Sequence, residues 1–265
     1  MSTDRQTLAR PAGFLDDWRT VALRALRLTW RDPEAFGPAI AIPLFFFVVN
    51  VGALQTFVEG SFPAGFDYKA FQLPVAVVFA VTGVSRANSL VIDIQDGYFD
   101  RLLLTPVSRV TLLIGLMTAD LVLIVSLTTP VVLLGLVLGI DIATGVLGLL
   151  LFVAIAGLWG LAFTGFPYAI ALRTGNPTAV SNAFLLFFPF AFLTTAYLPE
   201  ESMTGWLATA AKFNPTTYLL AAMRALLQDG WAWGTIGKGL AAVGIIGALS
   251  FSLAFSALRG RVTRG

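Results

Sequence analysis

Five stretches of this chain run for 20 residues or more without a charged side chain: 35–58, 121–140, 142–172, 174–199 and 239–258. A sixth, 70–92, carries Arg86 as its only charge. A helix needs about 20 apolar residues to cross roughly 30 Å of hydrocarbon, so each stretch is long enough to span a bilayer. Charged residues make up 12% of the chain and apolar residues 57%, whereas a soluble domain is about a quarter charged. The sequence therefore predicts an all-α integral membrane protein with six transmembrane helices, at about 36–58, 70–92, 111–138, 145–171, 178–198 and 236–258. They form one transmembrane domain, 35–258, between an N-terminal segment, 1–34, and a short tail, 259–265.

Lys and Arg in short loops favour the cytoplasmic side. With the N-terminus inside, the cytoplasmic segments hold Arg5, Arg10, Arg19, Arg24, Arg27, Arg31, Arg101, Arg109, Arg173, Arg259, Arg261 and Arg264. The outer segments then hold only Lys69, Lys212, Arg224 and Lys238. Both termini are expected in the cytoplasm and the protein in the cell membrane. The first 34 residues lack the short apolar core of a cleavable signal, so the N-terminus is expected to stay on the mature protein. Net charge is only +2, which gives no case for a nucleic-acid partner.

Residues 14–31 predict an amphipathic helix. At 100° per residue, Asp17, Thr20, Arg24, Arg27 and Arg31 share one stripe, and Leu15, Trp18, Ala22 and Leu26 lie opposite. A basic face with an aromatic on the apolar side suits a helix lying in the membrane interface, with Trp18, Arg24, Arg27 and Arg31 as its candidate lipid contacts; a cytosolic helix packed on a soluble domain is the other reading of the same pattern. The segment 199–230 is neither a span nor a polar loop, because its apolar patches at 203–211 and 216–227 are too short to cross. Asn214 followed by Pro215 reads as a helix cap and first-turn proline. Two external half-helices are expected, with Asn214, Pro215, Tyr218 and Arg224 as their marked residues.

Several chemistries are excluded by composition. Histidine and cysteine are absent, which removes zinc-protease motifs, Ser-His dyads, thiolate metal sites and disulfides. No catalytic residue and no metal site is expected. Gly83-Val84-Ser85-Arg86-Ala87 lacks the second glycine of a nucleophile elbow. The nearest glycine-lysine pair, Gly237-Lys238, lacks the rest of a phosphate-binding loop, so any ATP must be bound by another chain. Arg86 and Asp120 lie within apolar runs, where ionisable groups often mark ion pathways. Two readings stand open for them: ion coupling, or snorkelling and local pairing near a helix end, as between Arg86 and Asp93. Gly135 and Gly139 have the spacing of a helix-contact motif or fall together incidentally.

The segment Asp96-Gly97-Tyr98-Phe99-Asp100-Arg101-Leu102-Leu103-Leu104-Thr105-Pro106-Val107-Ser108-Arg109, followed by Gly115, resembles the cytoplasmic loop of type-2 ATP-binding-cassette exporter permeases. That class includes the daunorubicin-resistance and the lipid and polysaccharide export permeases. Its usual form is acidic-Gly-x-x-acidic-basic-Leu-x-x-Thr-Pro-x-Ser; where relatives often carry glutamates, this chain has Asp96 and Asp100. Leu198-Pro199-Glu200-Glu201-Ser202-Met203, Gly205-Trp206-Leu207 and Asn214-Pro215-Thr216-Thr217-Tyr218 with Arg224 are similar to that class's external half-helix pair.

The resemblance implies that 93–110 is a coupling loop, with Asp96, Gly97, Asp100, Arg101, Thr105 and Pro106 facing a nucleotide-binding ATPase subunit. It implies that 14–31 is the elbow helix beside that loop, and that ATP and magnesium sit on the partner. It also implies a second permease copy or paralogue; homodimer and heterodimer both fit the sequence. An amphiphilic cargo, as in multidrug or lipid efflux, suits spans with so little internal charge. Asn182, Leu185, Phe188 and Phe192 recur at helical spacing in span five, which places that face either along the cargo path or against lipid and core. The rival classes are an ion-coupled secondary carrier and a non-transporting membrane scaffold. Dependence on a separately encoded ATPase separates the first, and co-purification with one argues against the second.

Overall fold

The computed structural model describes residues 18–24, 33–63, 65–82, 84–98, 101 and 109–262. Its helices are α1 (Pro33–Ser61), α2 (Tyr68–Val81), α3 (Ala87–Gln95), α4 (Arg109–Val137) and α5 (Gly145–Thr174). They continue as α6 (Pro177–Asn182), α7 (Phe187–Phe192), α8 (Gly205–Phe213), α9 (Pro215–Arg224) and α10 (Trp233–Val262). Short 3₁₀ turns cover Ala183–Leu186 and Glu200–Ser202, and a π-helical turn covers Ala225–Asp229. Residues 18–24 are helical as well, and no strand occurs among the described residues.

Among the described residues four helices are long and apolar enough to cross a membrane: Gly37–Ser61, Thr111–Val137, Gly145–Thr174 and Trp233–Arg261. The other two stretches that the sequence reads as single spans are broken. In 70–92 the helix stops after Val81, because Thr82 is extended at ψ 126°. The Thr82 hydroxyl donates to the Val78 carbonyl at 2.6 Å and accepts from Trp159 Nε1 at 2.9 Å. These bonds keep the break satisfied in a buried setting, where an unpaired polar group is costly. In 178–198 the 3₁₀ turn Ala183–Leu186 separates α6 from α7, and Pro189 lies inside the six residues of α7. A proline there lacks the N–H of the helical ladder and crowds the carbonyl four residues earlier, so the run tightens and ends early.

Small residues set the closest approaches. A Cβ on Gly165 of α5 would lie 2.6 Å from the Ser250 backbone of α10, so only glycine permits that contact. The Ser250 hydroxyl donates to the Ala162 carbonyl across the same seam. Gly160 receives the Ile124 side chain of α4, and Gly239 of α10 meets the Tyr218 carbonyl of α9. α5 is thus the central helix, carrying buried Phe152, Ile155, Trp159 and Tyr168, and it runs unbroken through Pro167. Gly135 and Gly139 do not act as a pair. Gly135 faces Leu73 of α2, whereas Gly139, at φ +81°, belongs to the turn after α4.

Candidate functional site

Two clusters mark opposite ends of this bundle. The first is built where α3 ends. Gly97 takes φ +67°, a left-handed conformation suited to glycine. Its N–H donates to the Ile94 carbonyl at 3.1 Å, which turns the chain out of the helix. Asp96 caps this end and is exposed, as is Arg101 beyond the turn. Asp100, Thr105 and Pro106 lie outside the described residues.

Segment 18–24 packs against this turn from far away in sequence. The Arg24 guanidinium stands 3.3 Å from the Asp93 carboxylate and 4.1 Å from the centre of the Tyr98 ring. Trp18 Nε1 donates to Thr118 Oγ1 of α4 at 3.0 Å. Val21 fills the space left by Gly115, where any Cβ would approach it to 2.6 Å. Segment 18–24 is therefore packed against both the end of α3 and the start of α4, although nothing in either stretch alone points to the other. Arg27 and Arg31 lie outside the described residues.

Arg86 and Asp120 are placed differently from the sequence expectation. Asp93 makes its ion pair with Arg24, and Arg86 sits in the break before α3, which starts at Ala87. Neither residue snorkels, for Arg86 is 6% exposed and Asp120 fully buried. Asp120 Oδ1 accepts the Arg86 main-chain N–H at 3.0 Å, and its Oδ2 accepts the Tyr168 hydroxyl at 2.7 Å. Tyr168 was not singled out from the sequence; its one signal is a phenol in the otherwise apolar second half of a span.

The second cluster lies at the other end. Asn214 separates the half-helices α8 and α9: its side-chain oxygen accepts from the Thr216 N–H at 2.9 Å, with Pro215 in the first turn of α9. Its amide nitrogen donates to the Phe190 and Leu193 carbonyls at 2.6 and 2.8 Å, fixing the pair to the end of α7. The Tyr218 hydroxyl donates to the Lys212 carbonyl at 2.7 Å. Arg224 is buried; it donates from Nε to the Phe71 carbonyl at 3.0 Å and from its two other nitrogens to Thr195 Oγ1 and O at 3.1 and 2.8 Å. Its guanidinium also covers the Phe71 ring at 3.4 Å.

Asn182, Leu185, Phe188 and Phe192 are all exposed. Phe188 stacks on Phe192 at 5.6 Å, and Phe192 meets Phe79 of α2 edge-on at 6.2 Å. They are spread over α6, the 3₁₀ turn and α7, so they do not form the single helical stripe that their spacing suggests. Among the described residues no group of three or more His, Cys, Asp or Glu gathers where a metal could bind.

Comparison with known proteins adds three findings. The family profile described as ABC-2 type transporter matches residues 16–227. A daunorubicin resistance ABC transporter permease protein of Streptomyces coeruleorubidus is 28% identical over 165 residues, covering 61% of this chain and 58% of that protein. A probable doxorubicin resistance ABC transporter permease protein of Mycobacterium tuberculosis is 28% identical over 201 residues, covering 72% of this chain and 70% of its own length. The chain thus matches less than two thirds of the Streptomyces protein's length.

Proposed function

The chain belongs to the ABC-2 type transporter family, and on that premise we propose that it is the membrane subunit of an exporter driven by ATP hydrolysed on a separate chain. The observation that carries this reading is the exposed acidic turn at Asp96 and Gly97, held on a packed base by Arg24, Asp93 and Tyr98. An acidic turn gains little from pairs at its own surface, which are worth about 0 to 1 kcal/mol. It gains more in a partly desolvated basic groove, where losing one charge partner costs about 2 to 5 kcal/mol. The turn therefore suits docking to a basic groove on a nucleotide-binding subunit, with exposed Arg101 close by in sequence.

In this reading α2 with α3 and α6 with α7 each form one broken crossing, which with the four long helices makes six. Both termini and the Gly97 turn face the cytoplasm, and the half-helices α8 and α9 dip into the outer leaflet. Broken elements are tolerated at that depth when protein satisfies their polar groups, as Asn214 and Arg224 do here. A second copy or a paralogue completes the path, and the cargo is amphiphilic, as the drug-resistance names of the two relatives suggest.

The test is to replace Asp96 by Lys and Gly97 by Val in the full chain and to measure capture of its ATPase and daunorubicin export from vesicles. Capture should fall about tenfold or more, with membrane insertion unchanged; wild-type capture and export in both variants removes the coupling role. Tags at residues 97 and 202 check orientation in the same cells, the first expected to react only from inside and the second from outside.

Buried Asp120 favours a second reading, an ion-coupled carrier, since ionisable groups at membrane depth mark ion pathways. Export that persists without the ATPase and stops when the proton gradient is collapsed would select it.

A further inference from the structure

The buried carboxylate of Asp120 has a place in the fold that the docking surface does not use. α3 is a short helix set apart from α2 by the break at 82–86, and it leads directly into the Gly97 turn. A helix start leaves its first N–H groups without intrahelical partners and carries partial positive charge. At this helix start Arg86, the residue before α3, makes no capping bond with its own side chain. The Ser85 hydroxyl accepts the Ala87 N–H at 3.1 Å, and Asp120, from α4, accepts the Arg86 N–H at 3.0 Å. The same carboxylate is held by Tyr168 of α5. One fully buried group therefore joins three helices at one end of α3.

The far end of α3 is held differently. Asp93 bonds Arg24 with both side chains partly exposed, and Gln95 Nε2 donates to the Gly175 carbonyl at an exposed site. Such bonds exchange with water at little cost. Ile94 near this end is still buried among apolar side chains, so a pull on the exposed end moves α3 as one body and loads the joint at Asp120. Motion at that joint reaches α4 through Asp120 and α5 through Tyr168. From α5 it passes to α10 across the Gly165 contact, which has no room to slip.

We propose that Asp120 is a positioning residue: it holds the joint at the start of α3, so that displacement of the Gly97 turn by a docked ATPase is delivered to α4 and α5. This rests on the reading that the turn docks an ATPase.

The experiment uses the full chain with its ATPase in vesicles, with daunorubicin as transport probe, and the variants Asp120→Ala, Asp120→Asn and Tyr168→Phe. Asp120→Ala should bind the ATPase as the wild type does, while daunorubicin exported per ATP hydrolysed falls about tenfold, as expected for loss of a charged acceptor. Asp120→Asn keeps an oxygen for the Arg86 N–H and should retain export to within about threefold, and Tyr168→Phe should lie between the two. Because the chain has no cysteine, spin labels at Ile92→Cys on α3 and Arg173→Cys on α5 give a readout that fold stability alone would not move. Their separation should stay constant on ATP binding in the wild type and change in Asp120→Ala.

Wild-type export per ATP in Asp120→Ala overturns the proposal, and so does a label separation that behaves alike with and without Asp120. Loss of ATPase binding in that variant also overturns it, since that joint acts after docking. If Asp120→Ala does not accumulate, Tyr168→Phe carries the test, and export per ATP equal to wild type in that variant overturns the proposal. The two readings fail separately: ATPase capture that survives Asp96→Lys removes the docking surface, whereas unaltered coupling in Asp120→Ala removes only the joint.

Discussion

Arg24 and Arg224 each fasten one end of the bundle, and they do so in opposite ways. Arg24 makes one ion pair of 3.3 Å, with its side chain 44% exposed and that of Asp93 24% exposed. Arg224 is 8% exposed and makes three hydrogen bonds, all to main chain or to Thr195, with the Phe71 ring beneath it. Around it Gln72 donates to the Tyr68 hydroxyl and the Ala196 carbonyl, and Thr144 donates to the Leu226 carbonyl. The contrast teaches that similar side chains can build a joint that yields and a joint that holds. Water competes for the first and is excluded from the second. In the proposed reading that asymmetry is put to use, with motion entering at the loose end and a fixed frame at the other.

Removing the holding arginine should therefore have the largest effect. Arg224→Ala strands the Phe71 and Thr195 carbonyls in a buried setting, at about 1 to 3 kcal/mol for each unsatisfied group. Thermal unfolding in detergent should show a loss of about 3 kcal/mol or more. Arg224→Lys should not restore it, because an ammonium cannot reproduce the forked contact. Stability of Arg224→Ala within about 0.5 kcal/mol of wild type would show that this end is not the rigid one.

Much of this contrast was beyond the sequence, and the reason is physical. The charge-free runs made the long helices legible because a bilayer imposes a minimum apolar length. The motif starting at Asp96-Gly97 made the family legible, and the profile match bears that resemblance out. The break at 82–86 was hidden because a single glycine, Gly83, in an apolar run is tolerated in a helix, while the Trp159 bond that satisfies Thr82 comes from 77 positions away. Arg24 and Asp93 are 69 positions apart and Asp120 and Tyr168 are 48 apart, so neither pairing leaves a local signal. The tie from Asn214 to Phe190 is equally remote from the capping pattern that made Asn214 itself readable.

One substitution made at both kinds of contact sharpens the comparison. Gly165→Ala puts a Cβ 2.6 Å from the Ser250 backbone, on a seam between two long helices that cannot separate locally. Overpacking there should destabilise by about 1 to 3 kcal/mol. Gly115→Ala puts a Cβ at the same 2.6 Å, but from the Val21 side chain on segment 18–24. That segment can lift away, so the cost should stay below about 1 kcal/mol and appear instead as faster amide exchange in 18–24. Equal losses in the two variants would mean that segment 18–24 is as firmly seated as the central seam.

The smallest effect is expected for the ion pair that holds the loose end. Arg24→Ala and Asp93→Ala, alone and combined, define a double-mutant cycle whose coupling energy should be about 0 to 1 kcal/mol, as for other partly exposed pairs. The coupling should shrink further between about 0.1 M and 1 M salt, where the screening length falls from about 10 Å to about 3 Å. Arg24→Ala removes the contact with Tyr98 as well, so amide exchange over 93–98 should quicken even where unfolding is unchanged. A local effect without a global one is the signature of a joint that opens separately from the rest of the fold. A coupling above about 2 kcal/mol that salt leaves untouched would describe a desolvated lock. The Gly97 turn would then be as rigid as the Arg224 end, and the direction in which motion enters the bundle would have to be sought elsewhere.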